Sequence, residues 1–197
     1  MGPAVNLPLE LCEKIVYAYR SRNHMIKQGW AICQRIIEDM AHGIEGQHKC
    51  IRWAKNTVFL PNGMTLRYPE LRDKRVQVLV ARKMMGNPDF DDGEDLDMDR
   101  PHYIYENKGQ EKKIYGGLLC ENIVQALARI IVLKQTLNVS RKHRVVMSTH
   151  DEAVMLAKKT AAPKVYEFAL SEFQKPLPWC MDLPLNAEGG HASNYSK

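Results

Sequence analysis

The chain has 197 residues and a formal charge of +5, with 45% hydrophobic and 26% charged residues, as in an ordinary globular protein of one domain or two small ones. Residues 89–99, DFDDGEDLDMD, hold seven of the 23 acids and no Lys or Arg, so the remainder sets 16 acids against 28 basic residues, a balance of +12 that suits either a phosphate-backbone partner or simple solubility. The five scattered cysteines (Cys12, Cys33, Cys50, Cys120, Cys180) form no C-x-x-C, which speaks against a zinc site or disulfide framework. No secretory signal opens the chain and no apolar run approaches the ~18 residues that span a bilayer, so a soluble, intracellular protein with no membrane partner is expected.

The N-terminal third reads as helix. NLPLELCEKIVYAYRSRN offers Asn6 as a cap and an early Pro8, with Leu9, Cys12, Ile15, Val16 and Tyr19 at helical spacing. MIKQGWAICQRIIEDMAHG places Ile26, Trp30, Cys33, Ile36, Ile37 and Met40 toward a core and stops at Gly43. Arg20, Arg22 and Lys27 are either a solvated face or part of a nucleic-acid path. TVFLPNGMTLRYPELR then reads as a β-hairpin around Pro61-Asn62-Gly63, and VQVLVAR as a further strand.

The acidic stretch follows. An EF-hand loop needs acids at its first, third and fifth positions and Gly at its sixth. Starting from Asp89 and Asp91 puts Gly93 fifth, so the pattern fails and a self-repelling surface loop over 86–100 is expected. HYIYENKGQEKKIYGG reads as a second hairpin with Asn107-Lys108-Gly109 at its tip.

LLCENIVQALARIIVLKQTL is the longest apolar helix. At ~100° per residue from Asn122, Gln125 falls near about −60° and Arg129 near about −20°. Ile123, Val124, Leu127, Ile130 and Ile131 occupy the remainder, between roughly 80° and 200°. The three polar residues thus form one line on a helix otherwise fit for a core. That line is an ordinary wet edge or a face turned to a DNA minor groove. There, amide and guanidinium donors meet acceptors shared by every base pair and follow any template without choosing a sequence.

In RVVMSTHDEAVMLAKK, residues 144–159, two apolar runs flank His150, Asp151 and Glu152. The runs are expected to pair as buried strands, with His150 and Asp151 at the bend. Read alone, the triplet is a common turn. Read beside the polar helix, a carboxylate on a rigid tip suits a hard divalent cation such as Mg²⁺. Phosphoryl transfer with two such ions needs a second carboxylate from elsewhere.

Five segments in order resemble the family A DNA polymerases, related to bacterial DNA polymerase I and especially to their phage members. IVYAYRSRNHMIKQGW is similar to the fingers segment after the nucleotide-binding helix, and LPNGMTLRYPELR to the family's LPSGRRLYYP hairpin. IYGGLLCENIVQALARIIV resembles the helix that tracks the primer-template minor groove, and MSTHDEAVM resembles motif C of the palm. FQKPLPWCMDLPLNAEGGHASNY resembles the closing segment, often PPWAPGLPLAAEG…Y in phage enzymes. The resemblance implies an α+β fold of long helices packed on a small antiparallel palm sheet with β-hairpins. A fingers-derived segment would cover 1–50 and a palm-derived one 51–197. The groove helix would lie at about 118–138 and the motif C hairpin at about 144–157.

It also implies site roles. Asp151 would be the motif C ligand of catalytic Mg²⁺, His150 would support the primer terminus, and Glu152 would sit beside metal and 3′ end. Gln125 would contact the minor groove, a role the stripe extends to Asn122 and Arg129. Tyr115, Gly116 and Gly117 would set the entry to that helix.

The chain departs from the family in lacking motif A with its D-Y-S-x-I-E-like strand, motif B with R-x3-K-x6-Y-G, and the exonuclease region. Ala128-Arg129-Ile130 stands where phage members often have A-R-D, and Ser148 replaces a small apolar residue. The expectation is the C-terminal part of a split polymerase, working on primer-template DNA and dNTP. An N-terminal polymerase/exonuclease chain would be its partner, in the cytoplasm of a bacterial host if phage-encoded. Two competitors are a noncatalytic DNA-binding remnant and a self-contained metal-dependent hydrolase built on His150, Asp151 and Glu152.

Overall fold

The computed structural model describes residues 7–75 and 101–195, as two compact units, Met1–Asn122 and Ile123–Lys197. Asn6, the strand expected from VQVLVAR and the acidic stretch 86–100 lie outside the described residues.

Helices α1 (Leu9–Arg22) and α2 (His24–His42) open the first unit. Pro8 occupies the N-cap position of α1 without a side-chain cap bond. The apolar spacing of α1 forms a helix as expected, yet the helix buries nothing. Leu9 is 76% exposed and Ile15 49%. Helix α2 buries Cys33, Ile36, Ile37 and Met40. Each of these isoleucines removes enough apolar surface from water to contribute about 1.5–3 kcal/mol. Ile26, expected in the core, is exposed, and Trp30 is half-buried, because only the C-terminal half of α2 meets the sheet region. Gly43 ends α2 at φ 74°, its N–H donating to the carbonyls of Asp39 and Met40.

Four short strands follow as one antiparallel sheet in chain order: β1 (Gly46–His48), β2 (Ile51–Ala54), β3 (Thr57–Phe59) and β4 (Thr65–Arg67). The β3–β4 hairpin turns at Pro61-Asn62-Gly63 as expected, with Gly63 at φ 83°. Strands β1 and β2 had no sequence signal, since their turn holds Lys49 at φ 51° where glycine is usual. Strands β5 (Arg72–Asp73), β6 (Tyr103–Asn107) and β7 (Gln110–Ile114) form a second antiparallel sheet. Its β6–β7 turn has Lys108 and Gly109 both at positive φ, the type I′ geometry that matches strand twist.

Helix α3 (Gly116–Ser140) begins in the first unit, and the unit boundary falls within it. The close approach of its first residue requires glycine. A Cβ on Gly116 would lie 2.2 Å from the Trp30 carbonyl oxygen, and the Gly116 N–H donates to Gln34 Oε1 at 2.9 Å. Nearby, burial first and the neighbouring Cys120 second push the Cys33 thiol up to about 12, so it stays protonated. All five cysteines are free thiols.

The second unit contains the rest of α3, the antiparallel pair β8 (Arg144–Thr149) and β9 (Glu152–Leu156), and helix α4 (Ala162–Phe173). Ile123, Ile131, Val139, Val165 and Ala169 are buried. Gln135, also buried, donates from Nε2 to the carbonyls of Phe173 and Lys175, both at 2.9 Å. These are carbonyls that the end of α4 leaves without helical partners. Glu172 accepts from Lys175, whose hydrogen bond leads in holding the carboxyl below its usual range.

Two expectations need correction. Helix α3 is long and apolar enough to cross a membrane by length and composition, although core helices pass the same test. Its apolar face is also only partly covered, with Val124, Leu133 and Leu137 exposed.

Candidate functional site

The site of interest sits on the β8–β9 hairpin. Thr149 pairs with Glu152, leaving His150 and Asp151 as a two-residue turn. Of the two, only His150 has positive φ, at 51°. A positive φ at the first position of a two-residue turn is one that glycine ordinarily fills. Histidine tolerates this region better than most residues, at a cost of about 1 kcal/mol. A bulge at Val145–Met147 adds local twist to the strand that leads into the tip.

Among the described residues, two hydrogen bonds reach the tip from outside the strands. Arg129 of α3 donates from Nη1 to the His150 carbonyl at 2.6 Å. Tyr195 donates its hydroxyl to Glu152 Oε2 at 3.1 Å, joining the C-terminal segment to the strand just past the turn. That segment is itself tied to α4, where Tyr166 donates its hydroxyl to the Gly189 carbonyl at 3.0 Å. Sequence reasoning missed Tyr195. The only available signal was its place at the end of the closing segment, 43 residues from its partner.

The structure brings His150, Asp151, Glu152 and Arg129 together. Asp151 and His150 are exposed, and Glu152 is half-buried. The flanks differ from expectation: Val146, Met147 and Leu156 are exposed, because β8 and β9 form a sheet of two strands with no further strand against either edge among the described residues.

The expected groove line is divided. Gln125 and Arg129 are exposed on the second unit, Arg129 being engaged with the turn. In the first unit, Asn122 donates from Nδ2 to the buried Tyr68 hydroxyl at 3.1 Å. Burial leads in raising the Tyr68 phenol, and the Asn122 hydrogen bond pulls against it. Tyr115 is exposed where α3 begins.

The donor set offers a Mg²⁺ ion one open carboxylate, Asp151, with Glu152 next to it. No group of three or more His, Cys, Asp or Glu positioned for a metal occurs among the described residues. One exposed carboxylate with a neighbour is too few ligands to hold such an ion alone.

The chain is similar to the DNA polymerase of Bacillus phage SP02, at 39% identity over 103 residues. The chain is related to a DNA polymerase. The match takes in 47% of this chain and 15% of the length of the phage polymerase. No family model and no solved structure matches.

Proposed function

We propose that the chain is the C-terminal portion of a family A DNA polymerase, active in template-directed nucleotidyl transfer together with a separate polypeptide that carries motifs A and B. The observation that carries this reading is an exposed Asp151 on a two-residue turn, braced from below by Arg129, in a chain similar to a phage DNA polymerase. In a two-metal site Mg²⁺ supplies, when bound, activation of the attacking oxygen and stabilisation of the leaving one. Asp151 would contribute carboxylate oxygens to such a site, and the second Asp would come from the partner.

The chain's own residues act around that carboxylate. Arg129 fixes the turn, Tyr195 orients Glu152, and His150 stands next to the position a primer terminus would take. Gln125, exposed four residues before Arg129, would contact groove acceptors on primer-template DNA. The exposed apolar side chains of α1 and of the β8–β9 strands favour a partner chain, since large apolar faces mark interaction surfaces.

The test is primer extension with template, dNTP and Mg²⁺ by the co-expressed pair. Asp151→Ala is expected to lower extension at least ~100-fold, the scale for losing one preorganised electrostatic group at a reacting centre, with DNA binding retained. Extension undiminished by that substitution refutes the assignment. Binding without any extension by the wild-type pair leaves a noncatalytic DNA-binding role.

A further inference from the structure

At the end of the β8–β9 hairpin away from Asp151, three chain segments meet. The turn after α3 carries Arg141 and Lys142, β8 opens with Arg144 opposite Leu156, and Lys158 and Lys159 follow β9. The Lys158 carbonyl accepts from the N–H groups of Ala161 and Ala162 at 2.8 and 3.0 Å, which places the first turn of α4, with Lys164, against the same end. Lys142 Nζ lies 4.5 Å from the centre of the Phe168 ring, and the His143 ring lies 5.2 Å from it. Lys164 precedes Phe168 by four residues and so shares its face of α4.

Six Lys and Arg side chains therefore crowd one end of the unit, all of them exposed. None forms an ion pair among the described residues. Lys142 comes nearest to compensation: it acts on the Glu172 carboxyl, which Lys175 already holds. Between Arg141 and Lys164 the only acids are Asp151 and Glu152, both at the opposite end of the hairpin, and the next is Glu167. Like charges at this density repel and destabilise the folded chain. The fold does not need them where they are.

We infer that the base of the hairpin is a second nucleic-acid contact, one that takes the phosphodiester backbone without regard to sequence. Spread charge favours this occupant over an acidic protein segment. Protein interfaces centre on aromatic and apolar side chains and are depleted of Lys, whereas here the Phe168 ring lies beneath a lysine. The strand rise of ~3.3 Å puts this surface about 17 Å from Asp151. At 3.4 Å per stacked nucleotide of one strand, that is about five nucleotides from the tip. This inference rests on the nucleic-acid reading above and adds a contact that the metal-binding tip does not need.

The experiment compares the full chain with two neutralised forms, Lys158→Gln/Lys159→Gln/Lys164→Gln and Arg141→Gln/Arg144→Gln. Fluorescence anisotropy follows binding to a labelled mixed-sequence oligonucleotide, single-stranded in one arm and duplex in the other, between about 50 and 200 mM salt. Each lost phosphate contact makes the slope of log affinity against log salt shallower by about 0.9 on duplex or about 0.7 on a single strand. The triple form is expected to lose about 2 to 3 units of slope on duplex or about 2 on a single strand, equally for unrelated sequences. Its thermal stability should be unchanged or higher, which a structural role for the lysines would not produce.

Unchanged slopes, no binding by the wild-type chain, or displacement by polyglutamate at lower concentration than by unlabelled DNA would each overturn the inference. The two readings separate cleanly. Unchanged slopes with intact primer extension remove this surface and leave the polymerase, while shallower slopes with no extension by the wild-type pair do the reverse.

Discussion

Replacing Arg129 by Met keeps most of the apolar stem of the side chain and removes its donor. In the structure that donor reaches the His150 carbonyl at 2.6 Å, across a turn whose first residue stands at φ 51°. A charge-assisted bond of this kind contributes about 1.5–3 kcal/mol when buried. Arg129 is exposed, so screening reduces this to about 1 kcal/mol. The left-handed conformation of His150 costs about the same, so the bond offsets the turn's cost almost one for one. Its loss should open the tip about fivefold more often, since 1 kcal/mol is about 1.7 RT. Amide exchange at Thr149 and Glu152, the pair that closes the turn, reads this as about fivefold less protection, with protection at the buried positions of α3 unchanged. His150→Gly removes the conformational cost and should restore most of that protection in the Arg129→Met background. If the single substitution leaves exchange at the tip untouched, the brace is not what orders the turn. If the glycine fails to rescue it, backbone cost is not what the arginine offsets.

Asn122→Ala leaves the buried Tyr68 hydroxyl without its donor, a loss of about 1–3 kcal/mol read by urea unfolding. The Tyr68 phenol should titrate still higher by ultraviolet absorbance, because Asn122 now pulls it down. Gly116→Ala drives a methyl to 2.2 Å from a backbone oxygen of α2 and should cost about 3 kcal/mol or more, seen as a large fall in the unfolding midpoint. Asp73 makes the second sheet acid-sensitive: burial raises its carboxyl, but hydrogen bonds from Arg75 and from the His102 N–H outweigh this and hold it below its ordinary 3.8. A lowered folded value stabilises the fold above 3.8 and ceases to do so as pH falls through that folded value. Wild type should therefore exceed Asp73→Asn in stability at neutral pH, and the gap should close in acid; a gap independent of pH refutes the linkage.

Turn chemistry was the most legible part of the fold, because backbone sterics act within a few residues. Gly63, the Lys108–Gly109 pair and Gly43 all stand where their composition placed them. The β1–β2 turn was not legible, since Lys49 takes a glycine's conformation without glycine's signal. Periodicity located the apolar face of α1 but could not say whether anything covers it. The same holds for β8 and β9, whose apolar runs read as buried strands and are not. The triplet at 150–152 was visible as a turn. The two groups that hold it were not, because Arg129 and Tyr195 reach it from 21 and 43 residues away.

Those two contacts explain how an exposed hairpin can present an ordered carboxylate. Two strands alone are marginal in water, and here β8 is mostly exposed and β9 only half-buried. Both tethers act at the tip: Arg129 on the carbonyl inside the turn, Tyr195 on the side chain immediately after it. The turn that carries Asp151 is thus tethered by groups outside the two strands. A surface closing over Val146, Met147 and Leu156 would bury apolar area on each of them. It would find the acidic turn already set, so binding need not spend its free energy on arranging the site. If a metal site is completed from two surfaces, as proposed above, this division would favour it, with the turn held first and the flanks left open to a partner.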